Sequence, residues 1–99
     1  MKKILILHPD DNVGSVLEDI QKGEEVTYVL DDLRETFTAA DDVPFAFKIA
    51  TAHIATGGNI IKYGELIGRA ARNIAKGECV HIHNVEGKRG RGDRKEEIA

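Results

Sequence analysis

A seven-residue pattern that occurs three times constrains the fold of this chain more than any other feature. An isoleucine, a glycine three residues later and a β-branched residue three further on occupy residues 20–26, 54–60 and 74–80. The isoleucine can anchor a turn to a core, the glycine accepts positive φ at no steric cost, and the β-branched residue favours the start of a strand. Because the copies are unequally spaced, a solenoid is excluded. The pattern predicts one turn type reused in a compact, mainly β domain.

The composition fits one small domain. The chain has 99 residues, of which 31% are charged, and no tryptophan, so aliphatic side chains must fill its core. Its net charge of −3 argues against a nucleic-acid-binding protein. The single cysteine, Cys79, cannot form an internal disulfide, which fits a reducing compartment. The apolar run at residues 4–7 is too short for a signal peptide or a membrane span. We therefore expect a cytoplasmic protein that does not associate with a membrane.

Runs of aliphatic, aromatic and β-branched residues predict the strands. They lie at residues 3–8, 25–30, 35–39, 45–51 and 62–70, and a last short strand is expected to end in residues 81–84. Residues 25–39 read as a hairpin. Residues 13–20 are ambiguous: their apolar spacing fits a helix that Asn12 could cap, but Gly14 and Ser15 are weak helix formers. Residues 70–76 could form a helical turn.

Two histidines near the end of the domain form the first candidate site. His81 and His83 are two residues apart. On a strand both imidazoles would lie on one face, about 7 Å apart at ~3.3 Å per residue. Such a pair can converge on a metal ion or on an anionic substrate. The alternative is two exposed histidines on an edge strand.

Two further clusters could complete a site. Lys62 can hold a carboxylate or act as a base, and Tyr63 could donate a proton. On a strand these two side chains would point to opposite faces, and the alternative is a surface lysine beside a packed tyrosine. His8, Asp11 and Asn12 follow the first strand and could form a second polar wall of the site. The alternative is that the Asp and Asn side chains build the turn there.

The end of the chain differs from the rest in charge. Residues 1–86 carry 9 basic and 14 acidic side chains, a balance of −5, whereas residues 87–99 carry 5 basic and 3 acidic, a balance of +2. This glycine-rich end cannot build a core, so we expect a domain of residues 1–86 followed by a mobile basic tail of residues 87–99. Residues 88–95 are expected to dock on an acidic partner or reach its anionic substrate, with plain solubility as the alternative.

Four stretches of the chain together resemble the SAF domain of the altronate/galactarate dehydratase family, a small module of the β-clip fold. The matching stretches are residues 8–13, 43–50, 61–70 and 77–84. The specific part is Lys62-Tyr63-Gly64 followed by His81-x-His83-Asn84. The resemblance implies a mainly β SAF-type β-clip with one or two short helical turns. In that family the module can be a separate small subunit, as in sulfolactate sulfo-lyase.

The resemblance also implies an activity. The family removes water from a sugar acid such as altronate or galactarate, which needs a base for the proton α to the carboxylate and an acid or metal for the departing hydroxyl. It points to a hydro-lyase whose separate large subunit supplies most of the active site. Fe²⁺, or else Mn²⁺, would bind His81 and His83. The catalytic candidates are His81, His83, Lys62 and Tyr63, and the substrate-binding candidates are His8, Asp11, Asn12, Lys48, Asn84, Arg89 and Arg91.

Two other functions remain open. One is a non-catalytic binding or assembly module that forms homo-oligomers in isolation, and the other is the small subunit of a sulfolactate-type sulfo-lyase. The family usually has Gly-His-Lys where this chain has Ala46-Phe47-Lys48. If that histidine is functional in relatives, its role is absent here or is supplied by another group.

Overall fold

The computed structural model describes residues 1–87, which form nine strands and no helix. None of this part of the chain could therefore cross a membrane as a helix. The strands are β1 (Lys2–Leu5), β2 (Val13–Val16), β3 (Glu25–Leu30), β4 (Leu33–Thr38), β5 (Lys48–Ala50), β6 (Asn59–Lys62), β7 (Glu65–Ala70), β8 (Cys79–Val80) and β9 (Val85–Gly87). The mainly β fold class is confirmed.

The strands form two sheets. Six strands follow the order β4-β3-β1-β2-β5-β8, and three follow the order β6-β7-β9. Strand β1 changes partner within its own length: Lys2 and Lys3 pair in parallel with β3, whereas Ile4 and Leu5 pair antiparallel with β2. All other strand pairs are antiparallel. The predicted hairpin of residues 25–39 is confirmed as β3 and β4.

Two apolar cores lie on opposite faces of the larger sheet. Alternation along β2 and β5 explains the division, because Val16 and Ile49 enter the first core while Val13 and Ala50 enter the second. The first core contains Ile4, Ile6, Val16, Ile20, Val26, Phe37, Ala39, Val43, Ile49 and Cys79. The second contains Val13, Ala50, Ile54, Ile60, Ala70, Ile74 and Val80. The buried side chains are mostly aliphatic, as the composition predicts.

All three glycines of the repeated pattern adopt positive φ, as predicted. The angles are 92° at Gly23, 81° at Gly57 and 91° at Gly77. In each copy the residue after the glycine donates a backbone hydrogen bond, of 3.0, 2.7 and 3.0 Å, to the residue three positions earlier. This is the geometry of a β-turn that needs glycine at its third position.

A fourth copy of the turn has alanine in place of glycine. Residues 43–49 carry Val43, Ala46 and Ile49 at the same spacing, and Ala46 has φ 74°. Phe47 donates a backbone hydrogen bond of 3.1 Å to the carbonyl of Pro44, as in the other copies. A search for glycine misses this copy because nothing in its local sequence requires positive φ.

The four turns associate in two reciprocal pairs. Ile20 and Val43 exchange backbone hydrogen bonds of 2.9 and 2.8 Å, and Ile54 and Ile74 exchange two of 2.8 Å. In three of the turns the residue before the isoleucine or valine also supports this pairing. Its side-chain oxygen accepts a hydrogen bond from a backbone N–H of the facing turn. These acceptors are Asp19, Asp42 and Asn73, at 2.8, 2.8 and 2.9 Å. The paired turns thus determine where the next strands begin.

Three local expectations are wrong, and one ambiguity is resolved. The strand expected at residues 62–70 is interrupted at Tyr63 and Gly64, which separate β6 from β7. The ambiguous residues 13–20 are not a helix: β2 occupies their first half because Gly14 lets the strand approach β1, where an added Cβ would lie 2.6 Å from Ile4 Cδ1. The expected helical turns are absent from residues 1–87, and residues 75–78 instead form the third glycine turn. The strand ending in residues 81–84 is also wrong, since β8 ends at Val80.

The alanine of the fourth turn provides a test of its geometry. Replacing Ala46 with glycine removes the steric cost of a left-handed alanine, about 1–2 kcal/mol, and adds a smaller entropic cost in the unfolded chain. We expect Ala46→Gly to raise the free energy of unfolding by about 0.5–1 kcal/mol, measured by urea denaturation. Ala75→Gly, at a position without positive φ, is the control and should lower it. A destabilised Ala46→Gly variant would contradict the assigned turn.

Candidate functional site

The tip of the β6–β7 hairpin lies at one side of the candidate site. Tyr63 and Gly64 have φ 55° and 76°, the signature of a two-residue type I′ turn. Glycine is required at the second position because an added Cβ would lie 2.9 Å from His8 Cδ2. Tyr63 is held in this unusual conformation by a hydrogen bond of 2.7 Å between its hydroxyl and Ser15 Oγ. The hairpin tip therefore brings His8, Ser15 and Tyr63 together.

Asp11 and Asn12 attach the loop after β1 to this hairpin. Asp11 Oδ2 accepts hydrogen bonds of 3.2 Å from the backbone N–H groups of Leu7 and His8, and Oδ1 accepts one of 2.8 Å from Gly64. The Asn12 amide donates 2.8 Å to the Asn59 carbonyl and accepts 2.8 Å from the Ile61 N–H. Both side chains are fully engaged by the backbone, as the turn-building alternative requires.

Lys62 and Tyr63 lie side by side. Lys62 Nζ is 5.0 Å from the centroid of the Tyr63 ring, within cation–π range. The expectation that they point to opposite faces is wrong, because β6 ends at Lys62 and the turn begins at Tyr63. Both groups are therefore available to one ligand.

Lys48 joins the hairpin tip to the histidine turn. It is the cross-strand partner of Ser15 on one side and of Val80 on the other, so it lies beside both Tyr63 and His81. Burial lowers the pKa of Lys48 below its ordinary value, the positive charge of Lys62 lowers it further, and Cys79 opposes this change. A lowered pKa increases the neutral fraction of the Lys48 amine.

Residues 81–84 form a turn that closes on Asn84. The Asn84 N–H donates 3.1 Å to the His81 carbonyl, while its buried amide accepts 3.0 Å from the His81 N–H and donates 2.8 Å to the Cys79 carbonyl. Asn84 is thus a structural residue of the turn. His83 is exposed, and its carbonyl accepts a hydrogen bond of 2.9 Å from Arg72.

An aromatic stack orients His81 over a shallow cavity. The rings of Phe47 and His81 stack with centroids 3.9 Å apart. Phe47 is the residue at which the resemblance leads one to expect histidine. The neighbouring cavity of about 260 Å³ is lined by Lys48, Ile67, His81, Ile82, Val85 and Gly87. Small-molecule sites usually exceed about 300 Å³. The cavity is therefore suited to be one wall of a site.

These contacts define a basic face made of His8, Ser15, Lys48, Lys62, Tyr63 and His81. Five of these residues are predicted from the sequence. Ser15 is missed because a serine next to a glycine appears only as a weak helix former, and its partner Tyr63 lies far along the chain. The basic face does not include His83, and Arg89 and Arg91 lie outside the described residues.

The residues of the basic face do not form a metal site by themselves. Within residues 1–87, no group of three or more His, Cys, Asp or Glu side chains is arranged to hold a metal ion. His81 and His83 occupy a turn rather than one face of a strand. The proposed Fe²⁺ or Mn²⁺ would therefore need further ligands from outside residues 1–87, and its binding by the two histidines stays a prediction.

Comparison with known sequences identifies the family to which the chain belongs. Residues 2–88 match the family described as the altronate/galactarate dehydratase SAF domain. The chain belongs to this family, as its motifs predict.

Two altronate dehydratases are among the relatives. That of Bacillus subtilis is 38% identical over 86 residues and that of Escherichia coli 44% identical over 79 residues, covering 87% and 80% of this chain. The chain spans only 16% and 15% of their lengths. The (2R)-sulfolactate sulfo-lyase subunit alpha of Chromohalobacter salexigens is 40% identical over 83 residues, which cover 81% of this chain and 88% of that subunit.

The role of Asn84 can be tested by stability. In Asn84→Ala the His81 N–H and the Cys79 carbonyl lose their partners, so we expect the free energy of unfolding to fall by about 2 kcal/mol. Chemical denaturation of the wild type and the variant measures this change in the free energy of unfolding. His83→Ala, which removes an exposed side chain from the same turn, is the control and should leave it unchanged. Equal stability of the two variants would contradict the structural role of Asn84.

The coupling of the two lysines can be tested by titration. Lys62→Met removes the positive charge that lowers the Lys48 pKa, so we expect that pKa to rise in the variant. NMR titration of the Lys48 side chain measures the shift. Lys76→Met removes an ammonium group that lies over the Phe37 ring and should leave the pKa of Lys48 unchanged. An unchanged Lys48 pKa in Lys62→Met would refute the coupling.

Proposed function

We propose that this chain is the small subunit of a hydro-lyase that acts on a sugar acid such as altronate or galactarate, together with a separate large catalytic subunit. The observation that carries the proposal is the basic face, in which Lys48 and His81 line a cavity too small to enclose a substrate. The match over 88% of a protein named as a subunit alpha supports the two-subunit arrangement. The reaction belongs to metabolism, so we propose a cytoplasmic location.

The groups of the basic face suit a negatively charged hydroxy acid. Lys62 can hold the substrate carboxylate, and Lys48, whose pKa is lowered, can take the proton from the carbon next to it. Loss of that proton and of the β-hydroxyl as water leaves a double bond. His81, oriented by its stack on Phe47, can protonate the departing hydroxyl. Tyr63, hydrogen-bonded to Ser15, lies beside Lys62 and can bind the substrate.

Because the site is small, the proposal gives the large subunit a definite role. Within residues 1–87 the basic face has neither a second wall nor a complete set of metal ligands. In the proposal the large subunit supplies both and excludes water from the reacting atoms.

The assay uses the chain combined with its large subunit. We expect Lys48→Met and His81→Ala to lower kcat for dehydration of the sugar acid by at least about 100-fold, the usual contribution of an acid or base. Lys22→Met and His53→Ala remove an exposed amine and an exposed imidazole elsewhere and are the matched controls. If Lys48→Met and His81→Ala both keep full activity, the site assignment is wrong.

A second candidate is the small subunit of a sulfolactate-type sulfo-lyase, favoured by the match over 88% of such a subunit. Both reactions begin with removal of a proton next to a carboxylate, so the basic face serves either. Supplying the assembled enzyme with sulfolactate and with sugar acids, and measuring C–S cleavage against water loss, separates them. A non-catalytic module that forms homo-oligomers would turn over neither substrate.

A further inference from the structure

Part of strand β3 has an edge that is not paired with another strand of residues 1–87. Strand β1 pairs with β3 only at Lys2–Val26 and Lys3–Thr27 and then turns to β2. Strand β3 continues to Leu30, and over this stretch β4 is its only strand neighbour in residues 1–87. The edge of β3 after Thr27 therefore presents backbone donors and acceptors that another strand can use.

A cleft opens where β1 and β3 separate. It measures about 200 Å³ and is lined by Lys3, Ile4, Thr27, Tyr28, Val29 and Arg34. This volume is below the range of about 300–1,000 Å³ in which small ligands usually bind. It is large enough for one or two apolar side chains. The size favours a protein segment as the occupant over a small molecule.

Exposed apolar side chains lie in and beside the cleft. Val29, which lines it, is 52% exposed, and Leu5 is 37% exposed. Leu5 lies on the same face as Lys3, two residues away, and Val29 faces Arg34 across the β3–β4 hairpin. Exposed apolar side chains grouped around a cleft are typical of a protein contact.

Two cations determine the charge of the partner. Lys3 and Arg34 line the cleft, and neither forms an ion pair within residues 1–87. Asp31 and Asp32 lie at the hairpin tip. Glu35, the cross-strand partner of Tyr28, alternates to the other face of β4 from Arg34. The charges of Lys3 and Arg34 are complementary to an acidic segment.

We propose that an extended acidic segment of the large subunit docks along the open edge of β3. It would add a strand to the hairpin, insert an apolar side chain into the cleft and place carboxylates near Lys3 and Arg34. This inference rests on the proposed function, since it requires the large subunit. The cleft shares no lining residue with the basic face, so docking and catalysis can be tested separately.

The test measures binding of the separately expressed large subunit to the whole chain by calorimetry. Val29→Glu and Arg34→Glu place negative charge in the cleft, and we expect each to weaken binding at least about tenfold. Ala52→Glu and Lys22→Glu make comparable charge changes at exposed turn positions and should bind like the wild type. Hydrogen exchange adds a measurement without substitution: the large subunit should slow exchange of the Val29 amide, which faces the open edge, more than that of Tyr28 and Leu30, whose amides face β4.

The outcomes distinguish the two proposals. If Val29→Glu and Arg34→Glu bind as well as the wild type, or exchange in β3 is unaffected, the docking site is wrong while the proposed function stands. If the wild-type chain does not bind the large subunit at all, both proposals fail. If sedimentation shows instead that the chain self-associates and that these two variants do not, a second copy occupies the edge, which overturns the assignment to the large subunit.

Discussion

The reciprocal hydrogen bonds between paired turns are the interaction on which the rest of the structure depends. The Ile20–Val43 pair starts β3 and β5, and the Ile54–Ile74 pair starts β6 and β8. Strands β5 and β8, one from each pair, then hydrogen-bond to each other with Lys48 opposite Val80. That register places Lys48 next to His81, so the spacing of the candidate site follows from the turns.

Part of the fold can be predicted because some local patterns have one physical solution. The glycine turns and the β3–β4 hairpin belong to this group. Other elements depend on contacts that are distant in sequence. Residues 13–16 form a strand because Gly14 fits against Ile4, and residues 81–84 form a turn because Asn84 is buried against the backbone of Cys79. Ala46 adopts positive φ because its turn is paired with Ile20, which the local sequence does not indicate.

In the candidate site, too, local motifs identify some residues, whereas others are identified only by contacts distant in sequence. Motifs single out His8, Lys48, Lys62, Tyr63 and His81, and the fold brings them to one face. Ser15 has no motif, and its role depends on a hydrogen bond across the sheets. Asp11, Asn12 and Asn84 belong to the same motifs, but their side chains bind backbone groups that hold the site together. A polar motif thus contains both the proposed reacting groups and the framework that positions them.

The placement of the two tyrosines has a practical consequence. The chain has no tryptophan and only two tyrosines, so its near-ultraviolet signals arise mainly from Tyr28 and Tyr63. Tyr28 lines the cleft beside β3, where burial, and then Glu35, raise its pKa, whereas Tyr63 lies in the basic face. Each surface therefore contains one intrinsic spectroscopic probe. Fluorine-labelled tyrosine would distinguish events at the two surfaces within one molecule, without any engineered label site.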